Sequence, residues 1–127
     1  MNTEITPPSI AAPAASYAHA TLSTSANRWL HTSGVVPTRP DGTVPDSVGA
    51  QAEVVWANIG AILADADMGP ENVVSVVTYV IPGQDMGAVM AARDHFLGGK
   101  RAASTLVVVA ELVRPEWKVE IAVVAAD

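Results

Sequence analysis

In the stretch Lys118-Val119-Glu120-Ile121-Ala122-Val123, one carboxylate interrupts a run of strand-forming apolar residues. At a side-chain period of two, Glu120 shares a face with Lys118 and Ala122, while Val119, Ile121 and Val123 take the other. A carboxylate set into a sheet is costly unless it is paired or serves a ligand. Two arrangements meet that cost: an ion pair with Lys118, or work as a base or water holder. Tyr17 is the second candidate. It emerges from a segment of small residues, where its phenol either caps the core or hydrogen-bonds at a cleft mouth. Other chemistry-bearing types are poorly placed. His19, His31 and His95 are scattered without carboxylates at ligand spacing, so no metal centre is expected. Ser33 before Gly34 reads as a strand-end residue. The chain has no Gly-rich phosphate loop, no G-x-S-x-G elbow and no H-E-x-x-H helix. It also has no cysteine, which removes disulfides, thiolate metal sites and cysteine nucleophiles.

The elements that must position these groups follow from hydrophobic periodicity. Residues 1–15 are rich in Pro, Ala, Ser and Thr and read as an extended or mobile N-terminal segment. Two short strands are expected around 17–23 and 28–36, joined as a hairpin through a turn at Asn27. Asp41-Gly42 marks a turn in the loop that follows. From Asp46 the period changes: Val48, Ala52, Val55, Trp56, Ile59, Ile62 and Leu63 fall on one face of a helix, with Asp46 or Ser47 as its cap. Met68-Gly69-Pro70 ends it. Residues 72–81 are too β-branched for anything but a strand. A second helix over 84–97 places Met86, Val89, Met90, Arg93, Phe96 and Leu97 at helical spacing, and Gly98-Gly99 closes it. Strands near 104–112 and 117–126, joined by a turn at Arg114-Pro115, complete the order β-β-α-β-α-β-β. This is a single α+β domain over residues 1–127 with a mixed sheet.

Composition bounds the function. The chain has 127 residues, of which 50% are hydrophobic and 16% charged, which excludes disorder. Its net charge is -6 and its pI is near 4.8, so nucleic acid is a poor default partner. No run approaches the roughly 18 apolar residues of a membrane span, and no secretory leader is recognisable. A cytoplasmic protein is expected. Leu106 to Ala110 and Val119 to Ala126 are apolar on nearly every position, so both faces of the sheet want burial. Two helices cover only one face. A second copy of the chain covers the other most simply, so a homo-oligomer is expected.

Beside this reading, the chain resembles the RidA/YjgF family. The resemblance rests on Tyr17-Ala18-His19-Ala20, Thr32-Ser33-Gly34-Val35-Val36-Pro37, Asp41-Gly42-Thr43-Val44-Pro45, Gln51, Asn58-Ile59 and Leu63. It continues through Val73-Val74, Thr78-Tyr79-Val80, Ala103-Ser104-Thr105-Leu106-Val107 and Val119-Glu120-Ile121. The ordered set runs from about residue 10 to the C-terminus. It implies a chorismate-mutase-like fold, a barrel-like homotrimer and ligand clefts between neighbouring subunits. It also implies cofactor-free hydrolysis of reactive 2-imino and enamine acids to 2-oxo acids and ammonia. In such proteins an arginine before the penultimate strand clamps the substrate carboxylate. A tyrosine, the glycine after Thr-Ser and a glutamate of the last strand complete the cleft.

Carried over residue by residue, Tyr17, Gly34 and Glu120 match, with Glu120 and Tyr17 in catalytic roles. The arginine does not match: its place falls on Ser104, beside Thr105 and Leu106. A cleft asparagine of the second helix falls on Met90. Arg101 and Arg93 are the nearby cations. Arg101 lies three residues from the motif position, about 10 Å away and on the opposite side of a regular strand. Losing a bidentate guanidinium removes roughly 1.5–3 kcal/mol of charge-assisted binding. A small-molecule substrate without an α-carboxylate, or a bulkier apolar one admitted by Met90, is therefore expected. The competing reading is a trimer that binds a small metabolite or acts as a scaffold, without turnover. A ribonuclease reading conflicts with the acidic balance.

Overall fold

The computed structural model of the protein describes all 127 residues. Ser47 caps the first helix, α1 (Val48–Asp65), by accepting from the Ala50 amide through its hydroxyl. The helix buries Val48, Ala52, Val55, Trp56, Ile59 and Leu63, the face expected from the period, but Ile62, also expected there, is exposed. Asp85 caps α2 (Met86–Leu97) in the same manner, and Gly98 ends it at φ 60, a left-handed conformation that glycine adopts without steric cost. The two helices meet through Trp56 and Phe96, whose rings stack at 4.8 Å. Gly60 leaves room for that ring.

The helices cover one face of a four-stranded sheet formed by β3 (Trp29–His31), β4 (Val73–Val80), β5 (Ala103–Val108) and β6 (Val119–Ala126). The order is β3-β6-β4-β5, with β4 and β5 parallel and the other pairs antiparallel. Val76, Val80, Val119, Ile121 and Val123 pack beneath α1 in one core. Each such side chain, fully buried, contributes about 1.5–3 kcal/mol. The opposite face carries Val77, Tyr79, Ala122 and Val124, all half-buried, with Thr105 and Val107 exposed. One chain leaves that face uncovered.

Two expected connections are corrected. The first two strands of the sheet region do not form a hairpin. β2 (Ala20–Ser23) pairs instead with β1 (Asn2–Ile5), an N-terminal strand inside the segment read as extended or mobile. β3 pairs with β6 at the other edge of the molecule. The left-handed residue between them is Ser25, at φ 57, rather than Asn27, whose amide donates to the Asp127 carbonyl. The last two strands are likewise not neighbours: β4 lies between them, so residues 109–118 form a crossing loop rather than a tight turn. The Asp41 turn is present as expected. The Thr43 hydroxyl and amide donate to the Asp41 carboxyl and hold it below the usual carboxylate range.

Candidate functional site

Glu120 and Tyr79 are directly paired across β6 and β4, and Tyr79 in turn across β4 and β5 with Val107. All three stand on the uncovered face. Lys118, the ion-pair candidate, turns away: its ammonium donates to the Asp46 carbonyl. The Glu120 carboxylate has no hydrogen-bond or ion-pair partner within the chain and lies instead across Gly34. A Cβ at residue 34 would stand 2.0 Å from Glu120 Oε2 and 2.7 Å from Cδ. Glycine is thus required for contact rather than for a turn. Gly34 is itself fixed from both sides. Thr32 exchanges hydrogen bonds with Val123, and Val35 does so with Ile121. Gly34, Tyr79, Glu111, Leu112, Glu120 and Ala122 are among the walls of a cleft of about 300 Å³ that contains no cationic side chain.

The start of β6 is held by Gln51, buried in α1. Its amide nitrogen donates to the Pro45 and Glu116 carbonyls at 2.8 and 2.9 Å, and its oxygen accepts from the Lys118 amide at 2.8 Å. One side chain therefore ties the helix entry to the strand that carries Glu120.

A second cleft, of about 360 Å³, lies on the helix-covered side of the sheet edge and gathers Ala14, Ala15, Tyr17, Met90, Arg93, Ser104 and Leu106. Ser104 pairs with Val76 and Leu106 with Thr78, so both project opposite to Glu120. The Tyr17 hydroxyl accepts from the Ala14 amide at 3.4 Å, and its ring meets His19 edge-on. Ala18 bridges to Ala103, which fixes this arm against β5. Arg93 is buried in the cleft wall. Its Nε donates to Asp94 at 2.9 Å and its Nη1 to Ser104 Oγ at 3.3 Å, while Nη2 has no partner.

The structure thus brings Tyr17, Met90, Ser104 and Leu106 together in one cleft, and Gly34 and Glu120 in another. Thr105 lies on the uncovered face, outside both. Arg101 pairs with Glu4 at 3.0 Å and ties β5 to β1. No sequence signal singled out Tyr79, because its place beside Glu120 is set by the β4–β6 register. Glu111 had none, because nothing in the sequence sets the path of its loop. The largest groove, of about 700 Å³, lies elsewhere, between α1 and α2, lined by Trp56, Phe96, Glu53 and His95 among others.

This order of elements, with a β-β-α-β-α-β-β path behind one added N-terminal strand, defines a chorismate-mutase-like α+β protein. Residues 9–127 match the family described as Endoribonuclease L-PSP. The chain belongs to that family, the group of Rid or YjgF proteins. It is 33% identical over 81 residues to the mitochondrial protein MMF1 of Saccharomyces cerevisiae. That match takes in 63% of this chain and about half, 51%, of the yeast protein. A Rid-family protein of unknown function, YyfB from Yersinia pestis, superposes with a TM-score of 0.87 at 27% identity over 98% of both chains. The yeast protein YEO7 superposes at 0.73 with 26% identity, over 100% of this chain and 99% of its own. No helix is long and apolar enough to cross a membrane.

Proposed function

We propose that the protein hydrolyses small reactive imines or enamines to the carbonyl compound and ammonia, in clefts between the subunits of a homotrimer. Family membership supports a role on small molecules. The observation that carries the reading is Glu120: a carboxylate without a protein partner, laid across Gly34 in a cleft free of cations. Such a group is placed to hold and deprotonate water. Oxygen of that water adds to the imine carbon, the C=N pair moves to nitrogen, and Glu120 takes the released proton. Collapse of the carbinolamine breaks the C–N bond, and nitrogen leaves as ammonia with the proton returned. The sum is one imine and one water giving one carbonyl and one ammonia. The neighbouring carboxylates of Glu120 and Glu111 favour the cationic iminium, which is the more electrophilic form.

The trimer is part of the same proposal, because Glu120 and Tyr17–Ser104 stand on opposite faces of one sheet. A single chain does not offer both to one substrate. A neighbour packed on the uncovered face sets its own Tyr17 and Ser104 cleft toward Glu120, with Met90 and Leu106 as apolar walls. The ribonuclease in the family's description is not proposed here, since the net charge is -6.

The test is ammonia release from 2-imino acids generated by an amino-acid oxidase, with a scavenger competing for the imine. The wild-type protein is expected to exceed the spontaneous rate, and Glu120→Gln to lose about 10²–10⁴-fold of that acceleration. Unchanged turnover in Glu120→Gln refutes the role of the carboxylate. No acceleration by wild type across imino acids and uncharged imines favours the non-catalytic binding trimer, which the serine at position 104 otherwise supports.

A further inference from the structure

Seven lysines and arginines are the chain's whole supply of side-chain cations, and none is open at either cleft. Lys118, two residues from Glu120, turns its ammonium to the Asp46 carbonyl. Arg114 shares the loop of Glu111, but its guanidinium lies over the Trp117 ring, 5.6 Å from the centroid, in a neighbouring cleft. Arg101 is paired with Glu4. Arg93 lines the Tyr17–Ser104 cleft, yet its Nε and Nη1 are taken by Asp94 and Ser104, and its Nη2 is sealed inside the protein, out of a ligand's reach. The remaining three, Arg28, Arg39 and Lys100, bond to Asp127, Thr43 and the Glu71 carbonyl and line neither cleft. Glu111 and Glu120, by contrast, form no ion pair. They share their cleft with Leu112, Val113 and Ala122, and Val113 is 89% exposed, which leaves apolar surface there for a ligand to cover.

We propose that the substrate is the iminium of a primary amine with an apolar body and no carboxylate, and that Glu111 is its counter-ion. The assignment rests on the reading above and deepens it by naming the substrate class. A carboxylate is held in a protein by an open, charged fork of donors. Neither cleft presents one: the first offers two like charges, and in the second the guanidinium is closed and its charge is matched by Asp94 at 2.9 Å. A cationic C=N meets the opposite situation, two unpaired carboxylates in a cleft that holds no competing cation. The two acids then divide the work. Glu111 stays ionised beside the iminium nitrogen, while Glu120 takes the proton of the attacking water and returns it to the leaving nitrogen. A C–O bond forms and the C–N bond breaks, so that one iminium and one water give one aldehyde and one ammonium ion. Leu112 and Val113 flank the apolar body, with Met90 and Leu106 facing it across the subunit contact.

Binding is tested first, because it does not require turnover. The probes are 2-phenylacetamidine, whose planar amidinium is a stable mimic of C=NH2+, its neutral isostere 2-phenylacetamide, and the carboxylate phenylpyruvate. Each is titrated into the full-length protein by calorimetry and by amide-shift NMR. Wild type is expected to bind the amidinium about tenfold or more tighter than the amide, the scale of a charge-assisted pair, and phenylpyruvate more weakly than either. Glu111→Gln, a change on an exposed loop, should remove most of that preference, and Glu111→Gln with Glu120→Gln all of it. Equal affinity for amidine and amide overturns the proposal, as does phenylpyruvate binding as tightly as the amidine. A preference that survives the double change, or shifts centred on the Trp56–Phe96 groove instead of Gly34 and Leu112, overturns it as well. Turnover is then compared on two imines that differ only in the carboxylate, made in place from phenethylamine by an amine oxidase and from phenylalanine by an amino-acid oxidase. The amine-derived imine is expected to show the larger acceleration of ammonia release. Greater acceleration on the 2-imino acid refutes the substrate class and leaves the role of Glu120 standing. A wild type that prefers the amidine but accelerates neither imine keeps the cation site and removes the catalytic reading alone.

Discussion

Replacing Gly34 with alanine isolates the position of the Glu120 carboxylate from its chemistry. The new Cβ would meet Glu120 Oε2 at 2.0 Å, whereas ordinary contact begins near 3.4 Å. The carboxylate must therefore retreat by roughly 1.4 Å, and it is the free end of a flexible side chain that moves. Gly34 does not have a positive φ, so alanine fits its backbone without strain. Loss of one glycine also restricts the unfolded chain, which favours folding by about 0.4–1 kcal/mol. The variant should thus keep its melting temperature to within a few degrees. Its activity should fall about 100-fold, the usual consequence of a 1 Å misplacement of a reacting group. The assay is imine hydrolysis beside a thermal melt, repeated for Glu120→Ala and for the double variant. If Gly34→Ala acts through Glu120, the double variant is no slower than Glu120→Ala alone. Wild-type turnover in Gly34→Ala refutes the argument, and so does a loss of several kcal/mol in stability, which would mean that backbone rather than carboxylate had to move.

Two further expectations concern the frame around the site. Gln51→Leu keeps the volume of a buried side chain but leaves the Pro45 and Glu116 carbonyls and the Lys118 amide without their partner; a destabilisation of about 2–4 kcal/mol is expected in urea unfolding. A change under 1 kcal/mol would show that water replaces the amide. Val107→Glu places a charge on the uncovered face and should shift a trimer toward monomers in analytical ultracentrifugation, with imine hydrolysis lost in parallel. Retention of the wild-type mass with a glutamate at 107 would place the subunit contact elsewhere.

Both helices were legible because their signals are local: Ser47 and Asp85 cap them, the apolar residues recur at helical intervals, and Gly98 supplies the left-handed stop. β4 and β6 were legible from β-branched runs alone. Pairing was not. β2 is separated from β1 by a proline-bearing stretch whose composition reads as loop, and β1 is a four-residue strand too short and polar to declare itself. Adjacent strands invited a hairpin, yet β2 turns back to β1 and β3 pairs with β6 at the far end of the chain, because register is set by the face each strand must bury rather than by proximity. The same limit applied to the site. Glu120 was conspicuous as a charge in an apolar strand, but whether Lys118 satisfied it depended on where Asp46 comes to lie. Arg93 fell among apolar helix positions in the sequence, and only the fold places it against Ser104.

The layout of charge gives the two clefts a common meaning. One contains Glu120 and Glu111 and no cation; the other contains the unfinished donor set of Arg93, with only a half-exposed Asp94 against it. An iminium carries a cationic C=N, which the acidic wall of Glu120 and Glu111 would attract. In the proposed trimer that wall would orient the electrophilic carbon toward water held by Glu120. The sheet makes the division unavoidable, because alternate residues of β4, β5 and β6 must face opposite ways. In the proposed trimer, subunit association would serve substrate recognition as well as burial.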